Sequence, residues 1–133
     1  MWPESVERIA AFLRESEAVA QLEELAEGVS TAPGPAARAE AFDCDGWTIV
    51  ALLSDDREVD PSRLARRAGC TELRRVDDHP FPYQGTRVLV DRSLLALRRV
   101  WLEAGSPRHV VGLGPRQLLR LTRAETGVFL LDD

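Results

Sequence analysis

The chain of 133 residues contains no lysine; apart from two histidines, every basic side chain is an arginine. Chemistry that needs a side-chain amine, such as a Schiff base or a lysine general base, is therefore excluded. Cysteine is almost as scarce. Cys44 and Cys70 form no CxxC pair, and only His79 and His109 could join them, so neither a zinc site nor any other metal or cofactor is expected. The two cysteines read as unrelated buried or half-buried thiols, and nothing in the sequence sets a base beside Cys44 to make it a nucleophile. No apolar run approaches the roughly 18 residues that a bilayer span requires. The opening MWPESVERIAAFLRE carries acids on an amphipathic period rather than a basic region followed by a greasy one. It reads as part of the fold, and the cytoplasm is the expected location. There is no GxSxG elbow, no HExxH helix, no phosphate loop and no dinucleotide fingerprint.

Charge is unevenly spread. Residues 1–30 hold seven glutamates against Arg8 and Arg14, whereas residues 31–133 hold fifteen acids and fifteen arginines. The arginine pairs at 66–67, 74–75 and 98–99 could touch phosphate, but a zero balance over that region lacks the field of a general nucleic-acid binder.

Hydrophobic spacing predicts a helix over 4–16, with Val6, Ile9, Ala10 and Leu13 on one face. Residues 18–26 could be helix or strand. GVSTAPGP at 28–35 is a break, and AARAEAF at 36–42 has alanine-rich helical propensity for a turn or two. WTIVALLS at 47–54 reads as a central strand because it is apolar on both faces. Asp60 is positioned to cap a helix that begins at Pro61 and ends at Gly69. Strands are predicted at 71–76, 87–91, 100–104 and 109–113, a helical turn at 92–97, a helix at 115–122 and a closing strand at 127–133. Short connections favour local pairing. The expected architecture is a compact α/β domain over 1–133, with a curved, mixed, mostly antiparallel sheet flanked by helices.

Candidate chemistry gathers in DDHPFPYQG at 77–85. His79 precedes a proline and is biased to extended backbone, with Asp77 and Asp78 near enough in sequence to support a protonated imidazole; an exposed loop histidine is the alternative. Pro80 and Pro82 alternate with Phe81 and Tyr83, a stiff segment whose rings could stack on a base, line a pocket or cap the core. Asp91 reads as a helix cap through the amides of Ser93 or Leu94. His109 is either a half-buried strand residue or a pocket residue.

LLSDDREVDPSRLARRAG at 52–69 and TRVLVDRSLLALRRVWLEAGSPRHVVGLGPRQLLRLTRAETG at 86–127 resemble, in collinear order, the YbaK/ProX family. These are aminoacyl-tRNA deacylases, freestanding relatives of the editing domain of bacterial prolyl-tRNA synthetase, and VERIAAFLRE is similar to the family's first helix. The resemblance implies that family's α/β fold and hydrolysis of the ester joining a mischarged amino acid to tRNA. The implied partner is the aminoacylated 3′ end of tRNA, with transient association with a synthetase or elongation machinery; neither DNA nor membrane is expected. Two positions depart from the pattern. Arg38 stands where the family has a lysine, and Val76–Pro82 replaces a glycine-paired G-G-x-P-P-F-G loop, keeping only Pro80 and Phe81. A hydrolase of this kind would use Arg38 and His79 in catalysis, with Asp78 the alternative to His79 for ordering water, and Pro80, Phe81, Asp91, Gly105, Ser106 and His109 in substrate binding. The alternatives are a non-catalytic member that retains the cleft as a binding module for an aminoacyl or nucleotide-like ligand, or a domain whose acidic first helix docks on a basic protein.

Overall fold

A computed structural model describes residues 1–131. The first helix, α1 (Glu4–Glu15), buries Val6, Ile9 and Leu13, the face that its periodicity predicts. The undecided segment is a strand, β1 (Ala20–Glu24), antiparallel to β7 (His109–Leu113), which also pairs with β6 (Val100–Glu103). These three form one sheet in the order β1-β7-β6.

The second sheet has the order β4-β2-β3-β5-β8. Its centre is β3 (Trp47–Ser54), flanked by antiparallel β2 (Ala37–Cys44) and parallel β5 (Arg87–Asp91). The edges are β4 (Leu73–Arg75) and β8 (Glu125–Gly127). Along β3, Val50 and Leu52 join the core shared with α1 and α3 (Pro115–Thr122), while Ile49, Ala51 and Leu53 join a second core on the opposite face, against Leu64 of α2 (Pro61–Ala68) and Phe129. Burial on both faces accounts for the strand's continuous apolar run. Asp60 caps α2 through the amides of Ser62 and Arg63, and Gly69 ends it in the left-handed conformation. A 3₁₀ helix, Arg92–Ala96, follows β5 and is capped by Asp91. An isolated bridge between Ala36 and Trp101 links the two sheets. No helix of the described residues is long and apolar enough to cross a membrane.

Three expectations are corrected. AARAEAF is the strand β2, not a helix: its pairing with β3 on one side and β4 on the other outweighs the modest helical preference of alanine. The cysteines are not free thiols but a Cys44–Cys70 disulfide. The turn at Gly69 returns the chain so that Cys70 faces the end of β2, with the Cα atoms 5.4 Å apart. Asp45 reinforces the junction by accepting from the amides of Thr71 and Glu72 and from the Thr71 hydroxyl, bonds that hold its carboxyl below the usual range. The last strand is Glu125–Gly127, earlier than predicted, because residues 128–131 leave the sheet and Leu130 makes only a single bridge, to Val59. Residues 132–133 of that predicted strand lie outside the described residues.

Candidate functional site

A cleft of about 780 Å³ opens between the N-terminal half of α1, the start of β2, the 78–84 loop, β6 and the turn after it. One wall is aromatic. Phe12 meets the edge of Phe81 at 6.4 Å between centroids, and Phe81 meets Tyr83 at 5.8 Å. Phe81 and Tyr83 are buried in the main core, so the rings cap the core and line the cleft at once. They are set by a tight turn in which the Tyr83 amide donates to the Pro80 carbonyl at 2.7 Å across a cis Phe81–Pro82 bond. Tyr83 itself adopts φ 62°, a left-handed backbone that costs a bulky residue about 1–3 kcal/mol. The Thr86 hydroxyl holds it there by donating to its carbonyl at 2.7 Å. Burial pushes the Tyr83 hydroxyl well above its ordinary pKa, and the carboxylates of Glu103 and Asp78 add to the shift.

The opposite wall is charged. Strand alternation puts Arg38 and Glu40 on the face of β2 that carries Phe42 and Cys44 of the second core, opposite Ala37, Ala39 and Ala41. The pairing of Phe42 with Arg75 brings Arg75 beside them; Arg38 and Arg75 line the cleft, and Glu40 stands behind them. Arg38 donates through Nε to Glu40 at 2.8 Å and through Nη1 to the Asp55 carbonyl at 2.6 Å. Among the described residues its Nη2 has only an ion pair with Glu58, 3.7 Å away and largely exposed. Arg75 lies 3.6 Å from the other oxygen of Glu40, binds Asp78 at 2.9 Å and rests over the Phe42 ring. Glu40 thus bridges two arginines, and Asp78 is engaged with Arg75. The predicted support of His79 by Asp77 and Asp78 is therefore not seen: among the described residues, neither carboxylate pairs with the imidazole, which faces the cleft half-buried.

The cleft gathers five of the residues singled out in the sequence: Arg38, His79, Pro80, Phe81 and Gly105. Gly105 has φ 88°, and a Cβ there would lie 3.0 Å from the backbone of Ser5 and Val6; the Ser5 hydroxyl donates to its carbonyl at 2.7 Å. Only glycine lets this turn close against α1. Ser106 and His109 stand behind that turn, outside the lining. The Ser106 hydroxyl meets His109 Nδ1 at 2.6 Å and accepts from the Arg108 amide, while the His109 ring packs edge-on against Trp2 at 5.3 Å. His109 Nε2 is buried without a hydrogen bond, 3.6 Å from Glu24 across the β1–β7 pair. Asp91 is remote from the cleft. Its buried carboxylate is consumed by the Ser93 amide and hydroxyl and by the Phe129 amide. No group of three or more metal-ligating side chains forms among the described residues.

Sequence reasoning did not single out Arg75, Phe12 or Trp101 for this site. Trp101 lies across Gly112, where a Cβ would come within 2.7 Å of the indole, and beneath Gly34. The signal was the pair of distant glycines that leave room for one ring, which only tertiary pairing connects.

No family model matches the chain, and no curated protein matches it. Solved structures do. A candidate trans-editing enzyme for prolyl tRNA synthetase superposes with a TM-score of 0.82 at 19% identity, over 97% of this chain and 98% of that one. The hypothetical protein APE2540 superposes with a TM-score of 0.81 at 13% identity, over 93% and 99% of the two chains. A chain from a study of computational epitope backbone grafting on scaffold proteins reaches 0.83 at 20% identity, over 99% and 100%. At such identities the likeness is one of fold: this chain has the compact α/β fold, with a mixed and mostly antiparallel sheet flanked by helices, of YbaK/ProX-like editing domains.

Proposed function

We propose that the chain is a trans-acting hydrolase of mischarged aminoacyl-tRNA. The observation that carries the reading is the joining, in one cleft, of a fixed ring wall with an arginine that has a donor edge to spare. The side chain of the amino acid would lie against Phe12, Phe81 and Tyr83, whose burial sets the size of what fits. Nη2 of Arg38, held in place through Nε and Nη1, would donate to the ester carbonyl or the terminal phosphate. Arg38 is no base. His79 would order a water, which attacks the carbonyl carbon; the acyl–oxygen bond to the ribose breaks, and the leaving ribose oxygen takes the proton to become a free hydroxyl. The products are the free amino acid and uncharged tRNA. Incubation with a panel of aminoacyl-tRNAs, following ester loss, tests this: a rate no higher than the uncatalysed one across the whole panel sinks it.

A second reading has its own support. Asp78 is spent on Arg75, and among the described residues no carboxylate orients His79, so a cleft that holds an aminoacyl or nucleotide-like ligand without turning it over also fits. Saturable binding of a non-hydrolysable aminoacyl-adenosine amide, with no ester hydrolysis, would favour that module.

A further inference from the structure

The zero balance of residues 31–133 conceals a segregation. Residues 92–124 carry seven arginines and a single acid, Glu103; the other residues carry ten arginines and twenty-one acids. The structure converts this into a surface. On α3 and its C-cap, Arg116, Arg120 and Arg123 recur at i, i+4 and i+7, one exposed stripe opposite the buried Leu118, Leu121 and Thr122. The N-terminus of α3 abuts the carbonyl of Arg98, since a Cβ on Gly114 would lie 3.4 Å from it. Arg99 reaches Gln21, the strand partner of Gly112, and so stands on the sheet face that carries Trp101 at the edge of the cleft.

Among the described residues none of these five arginines pairs with a carboxylate. Their side-chain bonds go to amides: Arg99 to Gln21 and Arg120 to Gln117. Arg8, Arg38, Arg63, Arg67, Arg75 and Arg87 have carboxylate partners; Arg14, Arg66, Arg74, Arg92 and Arg108 have none among the described residues, but none of them belongs to the ribbon. Glu15 and Glu17 precede the Val19 amide that meets Gln117, and Glu125 beyond Arg123 is already bound to Arg87. Glu23 and Glu103 lie at the far end of the sheet face, beside Val110. The result is a basic ribbon on an acidic molecule.

We infer that this ribbon, Arg98–Arg99 with the Arg116–Arg120–Arg123 stripe, is a docking surface for the sugar–phosphate backbone of an RNA helix. Guanidinium groups roughly 5–6 Å apart along a helix axis can each meet a separate phosphate, with two parallel donors apiece. The acids on the rest of the surface repel the same backbone, so the field fixes the side on which it lands. The ribbon begins beside Trp101, so a strand whose end occupies the cleft would carry its helix over α3. The choice of RNA over other polyanions rests on the reading of the cleft given above; the charge segregation does not.

The test measures binding of a short RNA hairpin with a single-stranded 3′ tail, by fluorescence anisotropy over a range of salt. The full chain, the triple variant R116Q/R120Q/R123Q, its charge-preserving counterpart R116K/R120K/R123K and the cleft variant R38Q are compared. The triple glutamine variant is expected to bind at least about tenfold more weakly, and its log–log salt slope to fall by about three. The lysine counterpart should keep the slope, and R38Q should lower it by no more than about one, the share of a single phosphate contact. Hydrolysis of an aminoacyl ester of adenosine, which has no helix to dock, should be unchanged in the triple glutamine variant. Hairpin binding without any ester hydrolysis would defeat the cleft reading and leave the ribbon standing. An unchanged slope in the glutamine variant, an equal loss in the lysine variant, no hairpin binding at all, or preference for polyglutamate or anionic phospholipid vesicles over the hairpin would each overturn the ribbon.

Discussion

The two walls of the cleft are built by different forces. Phe81 and Tyr83 owe their positions to burial: they are part of the core, and the loop that carries them has little freedom to move without opening that core. Arg38, Arg75 and Asp78, with Glu40 behind them, owe theirs to a balance of charges and carbonyl bonds at partly exposed positions, where water competes. The ring wall is therefore expensive to alter and mainly decides shape. The charged wall is cheaper to alter in stability and, on the proposed reading, decides chemistry. Substitutions that separate stability from turnover should tell the walls apart.

The largest stability effect should come from the ring wall. Phe81→Ala removes a ring that packs against both Phe12 and Tyr83, and should cost about 3–5 kcal/mol in denaturant unfolding. Reduction of the Cys44–Cys70 link, which ties the end of β2 beneath the charged wall to the chain beyond α2, should cost about 3–4 kcal/mol on a chain-entropy basis. Thermal unfolding with and without reductant measures it, and the C44S/C70S variant should show no response to reductant. Glu40→Gln leaves Arg38 and Arg75 without their shared carboxylate and should cost a smaller amount, about 1–3 kcal/mol, while displacing the Arg38 guanidinium. Ester hydrolysis should then fall far more than stability does; the reverse would mean that the charged wall is scaffolding.

Smallest of all is an ion pair away from both walls. Arg87 grips Glu125 through two bonds of 2.6 and 2.9 Å, joining β5 to β8, and this holds the Glu125 carboxyl below its ordinary 4.5. A depressed carboxylate stabilises the fold above its unfolded value and loses that contribution as pH falls through the folded one. Both side chains are about 40% exposed, so the pair is worth a few tenths of a kcal/mol after screening. Acid titration of Glu125→Gln should show slightly less loss of stability below pH 4.5 than the parent, and the difference should shrink in high salt.

The sequence was most legible where the determinants are local. Asp60 and Pro61 start α2, Gly69 stops it, and Asp91 caps the turn after β5; in each case the interacting atoms lie within a few residues. It was least legible where remote partners decide. AARAEAF becomes a strand because two others flank it, Cys44 meets Cys70 only once α2 has folded back, and Trp101 finds its place over Gly112 across a strand pair. The cleft shows the same division. The loop at 77–85 announced itself through prolines and rings, whereas the bonds that occupy Asp78 and anchor Arg38 come from Arg75, Glu40 and the carbonyl of Asp55.

The central claim is that the guanidinium of Arg38, whose Nη2 is held only by the exposed Glu58 among the described residues, acts on an ester seated against the ring wall. Its most direct test is single-turnover ester loss from the panel of aminoacyl-tRNAs, with the parent chain and Arg38→Ala side by side and folding verified by circular dichroism. The account predicts hydrolysis of a subset of small or medium amino acids by the parent, and a loss of about 10²–10³-fold in the variant. Equal rates in parent and variant on a substrate that the parent hydrolyses would contradict it.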